Sequence, residues 1–179
     1  MTVDWIGYHP FETSTGGSPR LLPRKEARSE FARLMEAKAD RIKQLRDLVA
    51  KSGIDLDVNR DESIQDLNDW FRSELELEPE GNGNGHSVAR DWYPVILDIG
   101  LFLGEAMLER CPSLHWEFFT RGKKNVAYQS PLIMGFSDDE SYNIDPPRLV
   151  ATYAHRIAAN QNVDEDAFWK WVRSVEMSC

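Results

Sequence analysis

"GLFLGEAMLERCPSLHWEFF", residues 100–119, holds the passage from an apolar helix to a strand, and the fold class turns on how it is read. Leu101, Phe102, Leu103, Ala106, Met107 and Leu108 leave the first half almost no polar side, as expected of a helix buried on most faces. Beyond Cys111-Pro112-Ser113 the pattern changes to period two, with Leu114, Trp116 and Phe118 on one face and His115 and Glu117 on the other. A helix feeding into strands, without alternating β and α units, predicts an α+β domain.

The surrounding sequence extends this reading in both directions. The apolar helix starts between Ser87 and Pro94, because a proline is tolerated only in a first turn, and runs to about Arg110. Downstream, the turn around "RGKKN" and the stretch "VAYQSPLIMGF" supply further strands, giving a small antiparallel sheet of about three or four strands packed against the central helix. Two helices follow, at "PPRLVATYAHRIA" and "DEDAFWKWVRSV". Upstream, Phe31, Leu34, Met35, Ile42, Leu45, Leu48 and Val49 recur at helical spacing between Pro23 and Ser52, which predicts a long amphipathic helix over 24–52. Ile54, Leu56 and Val58 alternate with polar residues in a short strand or extended segment, after which Asp61 or Ser63 caps a helix carrying Ile64, Leu67, Trp70, Phe71 and Leu75 on one face. The chain then divides into an irregular arm over 1–23, containing Gly16 and Gly17, and one domain over 24–179 with an exposed glycine-rich loop at 81–86.

Charge is segregated along the chain. Net charge is −9, yet residues 24–52 carry nine Lys/Arg against five Asp/Glu, whereas residues 54–81 carry two against ten. An acidic chain lacks the clustered cations that bind phosphate backbones, so general nucleic-acid binding is not expected. The segment with Asp66, Asp69, Glu74, Glu76, Glu78 and Glu80 instead offers a negative surface to a protein partner with a basic surface.

The opening stretch also carries the candidate chemistry. Asp98, Glu105 and Glu109, seven and four residues apart, share a helix face, and with His115 they could run acid–base chemistry or hold a metal in a hydrolase. The bland reading is a helix face that borders solvent or bonds a neighbouring backbone, with His115 a solvent-facing strand residue. "DLDVNRDESIQD" places Asp55, Asp57, Asn59, Asp61, Ser63 and Asp66 at calcium-loop spacing, but Arg60 stands where the loop needs glycine and Asp66 where it needs a bidentate Glu. No metal, no cofactor and no nucleophile motif is therefore expected. Cys111 and Cys179 read as free thiols, since two cysteines are no disulfide framework and Cys179 lies where a chain frays. With neither a leader pattern nor a comfortable membrane span, the expected location is cytoplasmic.

The order "DLDVNRDESIQDLNDWF", "LFLGEAMLE", a lone Trp116 opening a hairpin, then "NIDPPRLVATYAHRI" resembles small uncharacterised bacterial proteins, some found beside toxin or phage genes. The resemblance covers about residues 54–158, includes Leu103-Gly104-Glu105, and brings no catalytic residues with it. The acidic segment over 54–81 motivates the functional expectation, a non-enzymatic interaction protein and in concrete form an immunity or accessory factor. The further alternative is a subunit of a larger assembly, or a homo-oligomer, joined through the helix at 24–52.

Overall fold

A computed structural model describes residues 3–13, 18–81, 85–137 and 141–179; Gly16 and Gly17 of the arm and the centre of the 81–86 loop lie outside the described residues. The chain is α+β. The described residues form five helices, α1 (Arg24–Ala50), α2 (Asp61–Glu74), α3 (Trp92–Arg110), α4 (Pro146–Ala158) and α5 (Ala167–Ser174), and two antiparallel ladders. These are β1 (Leu77–Pro79) with β2 (His86–Val88), and β3 (His115–Phe118) with β4 (Pro131–Met134).

Twelve of the nineteen residues of α3 are buried, which makes it the core helix on which α1, α4 and α5 pack. Glycines permit that packing. A Cβ at Gly104 would stand 2.1 Å from the Trp116 ring, and one at Gly100 would stand 2.5 Å from the Pro147 backbone. At the N-terminal end of α3, Trp92 gathers Trp5 of the arm with Trp70 and Phe71 of α2. Phe71 continues the cluster to Tyr153 and Phe168.

The expected sheet of three or four strands is replaced by two separate two-stranded ladders. Between β3 and β4 the chain turns instead of extending, closed by Phe119 N–H to Ser130 O at 3.1 Å and Gln129 N–H to Phe119 O at 2.6 Å. Ile144 adds a single bridge to Ile133, and the prolines of α4 then end any third strand by lacking N–H groups. The hairpin β1–β2 flanks the glycine-rich loop, where sequence patterning showed no strands.

Residues 54–57 form no strand and Val58 enters a turn, although Leu56 is buried. Asp57 N–H bonds Ser63 Oγ at 2.8 Å, and Ser63 Oγ donates to Asp55 O at 2.6 Å. Neither Asp61 nor Ser63 therefore caps α2: the N-cap is Arg60, without a side-chain bond, and Ser63 is spent on the preceding loop.

The two cysteines correct the free-thiol expectation, for Cys111 and Cys179 form a disulfide with Cα atoms 5.8 Å apart. Cys111 caps the C-terminal end of α3, and the 3-10 turn Val175–Ser178 after α5 brings Cys179 back to it. A contact across 68 residues has no local signal in the sequence.

Candidate acidic interaction surface

Helix α2 turns Ile64, Leu67, Trp70 and Phe71 into the core and leaves Glu62, Asp66 and Asp69 exposed at helical spacing on the opposite side. After α2 the chain enters β1, in which Glu78 is exposed, with half-buried Glu76 before it and exposed Glu80 after it. Asp66, Asp69 and Glu74 border a cleft of about 720 Å³ that also meets Trp70 and Lys51. Within it the indole of Trp70 donates to Ser52 Oγ at 3.2 Å, and Asp69 accepts from Gln65 Nε2 at 2.9 Å.

What decides the electrostatics is where the basic helix sends its cations. Arg41 goes to Asp98 and Lys38 to Glu105, both on α3; Arg33 pairs with Glu30 and Lys43 with Asp47 within α1. Lys51 is held by Asp4 of the arm at 3.5 Å and donates to two arm carbonyls. Among the described residues no ion pair joins α1 to α2 or β1, and no cation pairs with Asp66, Asp69, Glu78 or Glu80. The compensated carboxylates lie in the N-terminal part of the segment: Arg110 bonds Asp61 at 2.6 Å, holding its carboxyl below the ordinary value, and Arg60 bonds Asp55 at 2.8 Å and lies 3.7 Å from Asp57. The charge segregation of the sequence thus survives folding.

The second candidate group disperses. Asp98 is fully buried and receives Arg41 Nε at 2.9 Å, Arg41 Nη2 at 2.5 Å and the Tyr8 hydroxyl at 2.5 Å. Burial pushes its carboxyl above the ordinary value, and the bonds from Arg41 and Tyr8 oppose the rise. Glu105 accepts Lys38 Nζ at 2.6 Å and Trp116 Nε1 at 2.8 Å. Glu109 is exposed. His115 is 57% exposed and lies 3.5 Å from Glu117. Strand alternation explains the split, since it sends Trp116 over Gly104 toward Glu105 and its neighbour His115 to solvent. Among the described residues no three His, Cys, Asp or Glu side chains group as metal ligands. Asp57 of the calcium-like run accepts instead from Asn59 N–H at 2.9 Å.

The sequence marks Tyr8, with Trp5 and Phe11, as an arm residue that docks on the body, which it does, but not its bond to Asp98, and it gives no partner for Lys38 and Arg41. The last two had a signal: counted from Leu34, positions 38, 41, 45 and 48 continue one helical stripe, so two cations lie on the inward face of α1. Charges there demand acidic partners on the helix opposite, and Asp98 and Glu105, two turns apart, supply them. On the apolar stripe of α1, Leu34, Ile42, Leu45, Leu48 and Val49 are likewise buried within the chain, whereas Phe31 and Met35 are half-buried. No described helix is long and apolar enough to cross a membrane. The chain matches no family model, no curated protein and no solved structure.

Proposed function

We propose that this protein is a non-enzymatic interaction module whose acidic face, on α2 and β1, occupies a basic site on a protein partner. The observation that carries the reading is that Asp66, Asp69, Glu78 and Glu80 have no cation partner among the described residues although the same chain holds a basic helix. Uncompensated exposed charge of one sign steers association and fixes orientation more than it adds affinity. In its concrete form the module is an immunity or accessory factor set against a toxin or a nucleic-acid-handling protein, a role that the acidic segment 54–81 motivates. The hydrolase alternative at Asp98, Glu105 and His115 ranks below it, because the first two carboxylates are already engaged by α1.

The test is purification from the native host at low salt. A stoichiometric protein partner should be retained, and a moderate rise in salt should weaken the complex. Replacing Asp66→Asn, Asp69→Asn, Glu78→Gln and Glu80→Gln together should reduce retention at least about tenfold, a loss of ~1.4 kcal/mol. A charge-matched control, Glu26→Gln, Glu36→Gln, Asp40→Asn and Glu109→Gln, should leave it intact. Equal losses in both variants, or retention indifferent to salt, would overturn the reading.

A further inference from the structure

Away from the acidic face, the arm, α1, α3, the start of β4 and the start of α4 line an open cavity of about 430 Å³. Its volume falls in the range of small-molecule sites, and such sites pair apolar walls with a few placed polar groups. The walls here include the rings of Phe11, Phe31 and Tyr93 beside Leu34, Ile96 and Leu97. Helix α2 contributes nothing to it.

The charged groups around the cavity are neutralised within the protein. Asp145 accepts Arg148 N–H at 3.1 Å and Arg148 Nε at 3.0 Å, and Arg148 Nη2 continues to Val126 O. Glu30 pairs with Arg33 at 2.9 Å. An ionised ligand would find no unmatched countercharge at these groups.

Gln129 is different. It is 2% exposed, lines the cavity and adopts φ +66, a left-handed conformation that costs any residue with a Cβ. Its Nε2 donates to Pro19 O at 2.7 Å and Leu22 O at 3.0 Å. Two carbonyl partners fix which end of the amide is nitrogen, because only the nitrogen can donate. The amide oxygen, Oε1, accepts no hydrogen bond from any described residue. A strained, buried residue of the cavity lining thus keeps one acceptor, Oε1, without a donor among the described residues.

We propose that this cavity binds a neutral, mainly aromatic small molecule carrying one N–H or O–H donor, which bonds Gln129 Oε1. The aromatic walls take the flat body of the ligand, and the internal ion pairs favour an uncharged one. The site is separate from the acidic face, so either can fail without the other.

N-Phenyl-1-naphthylamine is a suitable probe, being neutral and aromatic with a single N–H, and it fluoresces in apolar surroundings. The full chain should bind one equivalent saturably. Its isosteric ether, 1-phenoxynaphthalene, which lacks the donor, should compete about tenfold more weakly, because the Gln129 acceptor would be buried without a partner. Ala151→Phe, which fills the cavity from α4, should abolish binding while circular dichroism and melting stay unchanged. Should that variant fold poorly, amide shifts of the unmodified protein on adding the probe should concentrate around Leu97, Gln129 and Ala151. Absence of saturable binding, or shifts gathered elsewhere, would overturn the site; equal competition by the ether would overturn the role of Gln129.

Discussion

Tyr8 shows how a single side chain ties the arm to the core. Its hydroxyl reaches Asp98, ninety residues away, and its ring lies 5.3 Å from the Arg41 guanidinium, which also bonds His9 O. Removing the hydroxyl in Tyr8→Phe takes one donor from a buried carboxylate and should cost about 1–3 kcal/mol in urea unfolding at neutral pH. The same residue should shape alkaline stability. Burial, and then the negative charge of Asp98, push the Tyr8 phenol well above its ordinary value of 10.0. Below that value the phenol is protonated in both folded and unfolded chains, so its contribution is fully present. Above it the unfolded chain releases the proton while the folded chain keeps it, and the contribution is lost as pH rises. Wild type should therefore lose stability more steeply than Tyr8→Phe beyond pH 10.0, although Tyr153, also raised by burial, leaves a residual slope in both. Parallel curves across that range would show that Tyr8 titrates freely.

Helix α3 makes the opposite demand, for the absence of side chains. In an isolated helix, glycine to alanine is favourable by about 1 kcal/mol, so propensity alone predicts that Gly100→Ala and Gly104→Ala stabilise. Packing reverses the sign. At Gly104 the new methyl displaces the Trp116 ring and with it the indole bond to Glu105, for an expected loss of about 1–3 kcal/mol. At Gly100 the obstacle is the Pro147 backbone at the start of α4, which cannot rotate away as a side chain does, so the loss should be larger. Denaturant unfolding of the two variants gives the order, and stabilisation at either position would mean that the helices do not approach this closely. The exchange of partners between α1 and α3 belongs to the same scale: Lys38 and Arg41 step along α1 as Glu105 and Asp98 step back along α3, which sets the two helices antiparallel.

For the whole molecule the Cys111–Cys179 bond links the end of α3 to the chain beyond α5 across 68 residues. By the loop-closure argument a cross-link of that span stabilises by about 4 kcal/mol, through the entropy it removes from the unfolded chain. Oxidised protein denatured without reductant should take up no iodoacetamide, and reduced protein should take up two equivalents and melt lower. Two labels without reduction would leave the thiols free. The redox state of this pair in cell extracts also bears on compartment, since a reducing cytoplasm opens disulfides that an oxidising one retains.

Sequence alone determined the features that depend on local periodicity and composition. The apolar run that becomes α3, the proline-led start of α4 and the stripe of α1 are local, because helical spacing states which residues must leave water together. The separation of basic and acidic segments is likewise local, and folding retains it because α1 and α2 face different partners. Tertiary structure alone decided the rest. Asp98 and Glu105 share a face of α3, yet nothing within that helix says that Arg41 and Lys38 will meet them while His115 turns to solvent. Two ladders stand in place of one sheet because the turns between β3 and β4 and the prolines of α4 end pairing that alternation by itself would continue. The disulfide, the arm seated by Tyr8 and the cavity at Gln129 all join residues distant in sequence, and such contacts form only where the packed core brings their chains together.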